Sequence, residues 1–289
     1  MANPIVVTPA SFSSAVWEEA DYNSGTSGGT NYGALGVAMK YTEFSASNQF
    51  DNLLQIGQRT PLAYFSKGDV FNITTEFVLA DDNKNWLNFL LYNNAGTYEV
   101  GSIKSGAIQL YDVVGSKLYE ATGIAFDNAS ITFNSGETVN VTLGGKGSKF
   151  SGRVDTTPIT TTYPVGYVTW VNASVSVGGV TITQPVKSLS IKMENNVEYF
   201  YTLGSLNYVS YVPKEFKFTA TLEVLHDSGF IDALMQESSP ATDTTLSITA
   251  GTYTFNVSGV YLNQGSMNIE PVNPVEDKIE IVANSITVT

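Results

Sequence analysis

The sequence predicts a mainly β protein with short helices, arranged as two tandem β-sandwich domains, each with one flanking helix. Three observations carry that prediction. First, one unit occurs twice: Phe71-Asn72-Ile73-Thr74-Thr75-Glu76-Phe77-Val78-Leu79 and Phe216-Lys217-Phe218-Thr219-Ala220-Thr221-Leu222-Glu223-Val224. Each copy runs into an acidic turn, Asp81-Asp82 or His226-Asp227, then into paired apolar residues. Second, apolar side chains fall on alternate residues of both copies, the period of a strand with one face buried. Third, Val, Thr, Ser, Tyr, Phe, Asn and Gly dominate, whereas long runs of Leu, Glu and Lys are missing. That bias favours strands and turns over helical bundles. A chain of 289 residues is long enough for two cores.

Taken in order, residues 1–35 read as a flexible arm, because the stretch Tyr22–Thr30 is rich in Gly, Ser and Thr. Residues 36–183 form the first predicted domain, with strands at Val37–Phe44 and Phe71–Leu79. A loop over Phe50–Gly68 separates them. Trp86-Leu87 and Leu90-Leu91 then predict a short helix with one apolar stripe, since residues four apart share a helix face. Asp82 stands where an N-cap is useful. An insertion near 95–126, itself strand-like, follows. Thr138–Leu143 supplies a further strand, and Thr156–Pro164 a loop. The boundary falls near Thr183-Gln184-Pro185, and residues 184–289 form the second domain. There Leu189–Glu194 is the counterpart of Val37–Phe44, and Tyr199–Pro213 is a long hairpin or extended loop. Phe230-Ile231 and Leu234-Met235 repeat the helix pattern, with Asp227 at its cap. Ile131–Gly136 in the first half resembles Leu246–Gly251 in the second, and the latter leads into a strand at Tyr253–Val257.

Composition excludes several kinds of chemistry. The chain has no cysteine, so disulfides, thiolate metal sites and thiol catalysis are ruled out. His226 is the single histidine and has no Ser/Asp partner motif, so a structural role is the better reading. The spacing of Asp81, Asp82 and Asp227 fits no calcium loop, and turn formation explains them. Gly144-Gly145-Lys146-Gly147-Ser148-Lys149 lacks the full phosphate-loop pattern and reads as a hairpin tip. No enzyme activity and no cofactor are expected. The net charge is -13, with arginine only at Arg59 and Arg153, so no cationic cluster for specific nucleic-acid binding exists. No apolar run approaches the roughly 20 residues of a membrane span. The opening Met1–Val7 has no secretory pattern, which points to folding in the cytoplasm.

One further pattern is more specific. A strand like Leu189–Glu194, an irregular loop, a strand like Phe216–Val224, a short helix and final Gly-punctuated strands resemble the tail tube protein family of tailed phages and archaeal viruses. The closing segments Thr252–Val260, Ser266–Pro271 and Lys278–Thr289 extend the resemblance. It implies two fused tube-type domains of sandwich or barrel type, whose sheets join between subunits as a β-barrel around a channel. It implies a structural virion protein of the tail, assembled in the host cytoplasm, that stacks rings into a hollow tube for DNA ejection. Two fused domains imply rings of three chains with pseudo-sixfold symmetry. The implied partners are other copies of the chain and other tail proteins, with viral DNA only in transit and no membrane. Candidate channel-facing residues are Lys40, Thr42, Ser190, Lys192 and Glu194, the polar positions of the two counterpart strands. An acidic channel would repel DNA phosphates, although Lys40 and Lys192 are basic. The alternative reading is a tandem β-sandwich adhesin or carbohydrate-binding surface protein. Tyr199-Phe200-Tyr201 and Tyr208–Tyr211 would then stack on sugars, although such aromatics occur more often in cores and interfaces.

Overall fold

A computed structural model of the chain describes residues 12–20, 30–53, 63–112, 114–154, 163–177, 180–182, 185–203, 205, 207–225, 245–268 and 276–289. The first half contributes β1 (Phe12–Glu18), β2 (Thr30–Gly33), β3 (Met39–Leu53), β4 (Ala63–Val78), β5 (Tyr92–Asn94) and β6 (Thr97–Glu99). It continues with β7 (Gly106–Asp112), β8 (Lys117–Asn134), β9 (Asn140–Gly147), β10 (Lys149–Val154), β11 (Ala173–Val177) and β12 (Val180–Thr181). The second half contributes β13 (Val186–Glu194), β14 (Glu198–Tyr201), β15 (Tyr208–Val212), β16 (Lys217–Leu225) and β17 (Leu246–Ala250). The last strands are β18 (Tyr253–Ser258), β19 (Tyr261–Asn268), β20 (Glu276–Ala283) and β21 (Ser285–Val288).

All pairings between these strands are antiparallel. The central sheet runs β3-β4-β9-β8-β13-β16-β20-β19. Its register stacks apolar residues in rows across the strands. One row is Phe77, Val141, Ile131, Ile191, Ala220 and Ile281, all buried. The next is Thr75, Leu143, Ala129, Met193, Phe218 and Ala283. Alternation places every neighbour of these residues on the other face, which is why the strands read as apolar–polar in sequence. A second sheet, β12-β11-β17-β18-β21-β6-β5, contributes Ile248, Tyr253, Phe255, Ile286 and Val288 to the same core. Trp86 sits between the layers, its ring centroid 6.1 Å from Phe77 and 6.4 Å from Tyr253. The arrangement is that of a β-sandwich.

Two expectations need correction. Neither sheet closes: each ends in outer strands that pair on one side, so the chain contains no β-barrel among the described residues. Strand rows that are buried on one face by a second sheet do not need to curl on themselves, and the sandwich satisfies that face without closure. The flanking helix at Trp86–Leu91 is only a five-residue 3-10 turn, Asn85–Phe89, with Trp86, Leu87 and Phe89 buried. Five residues are too few to make an α-helix independently favourable, and here core burial rather than helical hydrogen bonding fixes the segment. Asp82 does not cap it; the backbone N–H of Asn85 donates to the Asn83 side chain instead, at 3.1 Å. Asp81 holds the β17–β18 turn, accepting from the Thr252 N–H at 2.7 Å. Gly251 in that turn has φ +59, and a Cβ there would stand 2.1 Å from Asp81 Oδ1. The second predicted helix, with His226 and Asp227, lies outside the described residues.

Within residues 1–35, β1 pairs along β7 and β2 along β1, and Ala15, Val16, Ala34 and Leu35 are buried. Residues 95–126 hold β6, β7 and the first part of β8. β8 is long enough to serve two neighbourhoods. Its start pairs with β7 and β10, and its end pairs with β13 and β9. β9 and β10 follow β8 as the two halves of one return arm. Gly144–Lys149 therefore lies midway along this arm rather than at a hairpin tip. The glycine there serves close approach: a Cβ on Gly145 would come within 2.4 Å of the Ala125 carbonyl oxygen.

Candidate assembly face and sheet edges

The solvent-facing side of the central sheet is rich in Ser and Thr. In register across it lie Glu76, Thr142, Ser130, Lys192 and Thr219, and beside them Asn140, Thr132, Ser190, Thr221 and Glu280. A third row brings Asn128, Glu194 and Lys217 together. Its charges are largely paired. Lys192 bonds Glu194 at 2.7 Å, Lys187 bonds Glu276 at 3.0 Å, and Lys40 and Lys278 lie 3.8 and 4.0 Å from Glu76 and Glu223. These exposed pairs add little stability each. Their effect is to leave the face close to electrically neutral, although the whole chain is strongly acidic.

Ser190, Lys192 and Glu194 thus share this face, and Lys40 reaches it through Glu76. Thr42 does not. It stands opposite Thr75, whose side chain is buried, and their hydroxyls are 3.1 Å apart. The cause is a bulge between Met39 and Tyr41 that adds one residue to β3 and changes the phase of its alternation. By register, Thr42 is the counterpart of Ile191, because Thr75 and Ala220 hold the same place in the two copies. The sequence carried no sign of the bulge, so a simple period of two assigned Thr42 the wrong partners.

The two halves of the central sheet repeat one strand order. In chain order the first half supplies β3, β4, β8 and β9, which lie in space as β3-β4-β9-β8. The second supplies β13, β16, β19 and β20, which lie as β13-β16-β20-β19. Both follow the order first, second, fourth, third. The halves meet where β8 pairs with β13 over Asn128–Asn134 and Ser188–Glu194. At the extremes of this path stand β3 and β19, each paired on one side only among the described strands. An outer strand with unpaired N–H and C=O groups is a template for another chain.

Two tyrosines hold shielded hydrogen bonds. The Tyr253 hydroxyl donates to the Asn83 carbonyl at 2.5 Å and accepts from Trp86 Nε1 at 3.3 Å. Burial pushes its ionisation above the ordinary value near 10. Tyr32 bonds Glu18, and burial together with that carboxylate raises it likewise. Among the described residues no group of three or more His, Cys, Asp or Glu is placed to hold a metal ion. No described helix is long and apolar enough to cross a membrane.

A model of the phage tail tube protein family matches residues 60–289, and the chain belongs to that family. No curated protein matches the chain. The protein is accordingly a structural protein of the viral tail. Family membership implies association with other copies and with other tail components.

Proposed function

We propose that this protein is the tube subunit itself: copies join into rings, the rings stack into a hollow tail tube, and the viral genome passes through it during ejection. The observation that carries this reading is the repeated strand order together with its internal junction. β19 holds in the second half the place that β8 holds in the first, and β3 holds the place of β13. The pairing of β8 with β13 inside one chain is therefore a template for pairing β19 of one copy with β3 of the next. Such a contact is head-to-tail, and head-to-tail contacts close into rings when the rotation per step divides the circle. With two equivalent halves per chain, three chains give a ring of pseudo-sixfold symmetry. Residues 36–183 and 184–289 are the two tube-type units in this reading.

The proposed channel wall is the Ser/Thr-rich face with Ser190, Lys192, Glu194, Lys40 and Glu76, which Glu43 of β3 extends. DNA meets few uncompensated lysines there, so its phosphates find no strong hold. Neutrality of the wall, more than an excess of acid, would let the genome slide. Assembly in the host cytoplasm accompanies this role.

Electron microscopy of the concentrated full-length protein tests the proposal. Hollow, regularly banded tubes with threefold rings are expected. A stable monomer that binds glycans in an array would overturn it and favour the adhesin reading.

A further inference from the structure

The repeat within the central sheet bears on more than which outer strands meet; it also bears on how far one is shifted along the other. Thr75 and Ala220 are equivalent positions of the sequence repeat. Thr75 pairs with Thr42 and Leu143, and Ala220 pairs with Ile191 and Ile281. Leu143 pairs in turn with Ala129, and Ile281 with Leu262. Carried along the strands, Tyr41, Thr42 and Glu43 of β3 hold the places of Ser190, Ile191 and Lys192 of β13. At the other edge, Gln264, Gly265 and Ser266 of β19 hold the places of Ser130, Ile131 and Thr132 of β8. Inside the chain those places meet in one register: Ser130 opposite Lys192, Ile131 opposite Ile191 and Thr132 opposite Ser190.

We propose that β19 of one copy pairs antiparallel with β3 of the next in this same register, with Gly265 opposite Thr42, Gln264 opposite Glu43 and Ser266 opposite Tyr41. This inference rests on the tube reading, to which it adds the alignment of the seam between copies. The stagger of the sheet supports it. The row through Thr75 runs by Leu143, Ala129 and Met193 to Phe218, two residues from the equivalent position Ala220. Each half therefore steps by two residues along the strands. A seam that repeats the internal register repeats that step, and equal steps hold all strands of the joined sheet at one tilt to the ring axis. A slipped seam breaks the equality.

The seam is not a copy of the internal junction in every respect. Over Asn128–Asn134 and Ser188–Glu194 the strands β8 and β13 pair without a bulge. The outer strands each carry an extra residue, Lys40 in β3 and Asn263 in β19. In the proposed alignment these flank the three matched pairs, Lys40 beyond Tyr41–Ser266 and Asn263 beyond Glu43–Gln264. Bulges at an outer strand discourage pairing with unrelated chains. In the middle of the run, Thr42 and Gly265 stand where Ile191 and Ile131 face each other inside the chain. The Thr42 hydroxyl lies 3.1 Å from that of buried Thr75. With less apolar surface at that row, the seam holds less firmly than the internal junction and is where a ring opens.

The chain has no cysteine, so introduced thiols report on the seam alone. Directly opposite residues of an antiparallel pair have Cα atoms about 4.5–5.5 Å apart, inside the disulfide range, whereas diagonal neighbours fall outside it. Residues 42 and 265 of one chain cannot meet, because seven strand spacings of about 4.8 Å, roughly 34 Å in all, separate β3 from β19. Four full-length double variants are oxidised mildly and run on denaturing gels, and the unaltered protein is inspected by electron microscopy. Thr42→Cys with Gly265→Cys and Glu43→Cys with Gln264→Cys match the register. Thr42→Cys with Met267→Cys and Glu43→Cys with Tyr261→Cys match slips of two residues in either direction. The second matched pair leaves Gly265 in place, so a folding defect at that glycine does not decide the result. Chains linked head-to-tail are expected severalfold more from the matched pairs than from the slipped ones, with tubes from the unaltered protein. Tubes with linkage chiefly through a slipped pair, or through none, overturn the register and leave the tube reading standing. Matched linkage without tubes sustains the register and overturns the tube reading. Neither matched linkage nor tubes overturns both.

Discussion

Tyr253 shows how much one buried side chain can hold. It stacks on Phe255 of its own strand, and it holds the segment between the layers through contact with Trp86 and a hydroxyl bonded to the Asn83 carbonyl. Because burial raises its ionisation in the folded protein above 10, the folded state keeps this proton where the unfolded chain releases it. Its contribution is complete below pH ~10 and is lost as pH rises from there through the raised value. Urea midpoints measured across that range are expected to fall with pH in the native protein. Tyr253→Phe is expected to lower the midpoint at neutral pH, since the Asn83 carbonyl loses its donor. It is also expected to flatten the alkaline decline. An unchanged alkaline slope in the variant would assign the decline to other groups, with Tyr32 the first candidate. Asp81 shows the opposite kind of surprise at this scale. A residue that reads as part of its own local acidic turn instead holds a turn 171 positions away, through the Thr252 N–H.

Among the elements, β13 matters most because it joins the halves. It pairs with β8 on one side and β16 on the other, and it buries Leu189, Ile191 and Met193. Ile191→Ala removes a fully buried side chain from the middle of the central row and is expected to cost about 2–5 kcal/mol. The core cluster draws on both halves, so the variant is expected to melt in one transition at a lower temperature. Calorimetry showing two separated transitions, only one of them shifted, would mean that the halves fold independently. The bulge in β3 is the other telling feature of an element. One added residue between Met39 and Tyr41 turns Thr42 inward while leaving Lys40 able to reach Glu76. In β13, which has no bulge past Ser188, the polar positions Ser190, Lys192 and Glu194 stay on one face.

For the whole molecule, charge and apolar surface are distributed in a way that bears on assembly. Copies with net charge -13 repel one another at low ionic strength. The proposed contacts, by contrast, are backbone pairings between outer strands. Raising salt shortens the screening length from about 10 Å at 0.1 M to about 3 Å at 1 M, which weakens repulsion and leaves those contacts intact. Tubes are therefore expected to form more readily as salt rises, as measured by sedimentation of assembled protein. Disassembly at high salt would show that ion pairs between copies hold the tube. Specificity in such an assembly would come from strand order and edge geometry, with charge acting as a restraint on unwanted contacts.

The sequence by itself determined three of the strands and their buried faces. Alternation in Phe71–Leu79, Leu189–Glu194 and Phe216–Val224 was enough, because a strand with one dry face must repeat every two residues. The duplication was legible for the same reason, and so was the family. Tertiary structure alone decided the rest. Whether Trp86–Phe89 became a helix depended on the layers that bury it, and which face Thr42 takes depended on a bulge set by pairing with β4. That β8 meets β13, and that β3 and β19 are left at the extremes, is decided by contacts between residues far apart in the chain. A local pattern records which side of a strand is dry. It does not record which strand lies beside it, since every apolar row in this sheet offers its neighbours much the same surface.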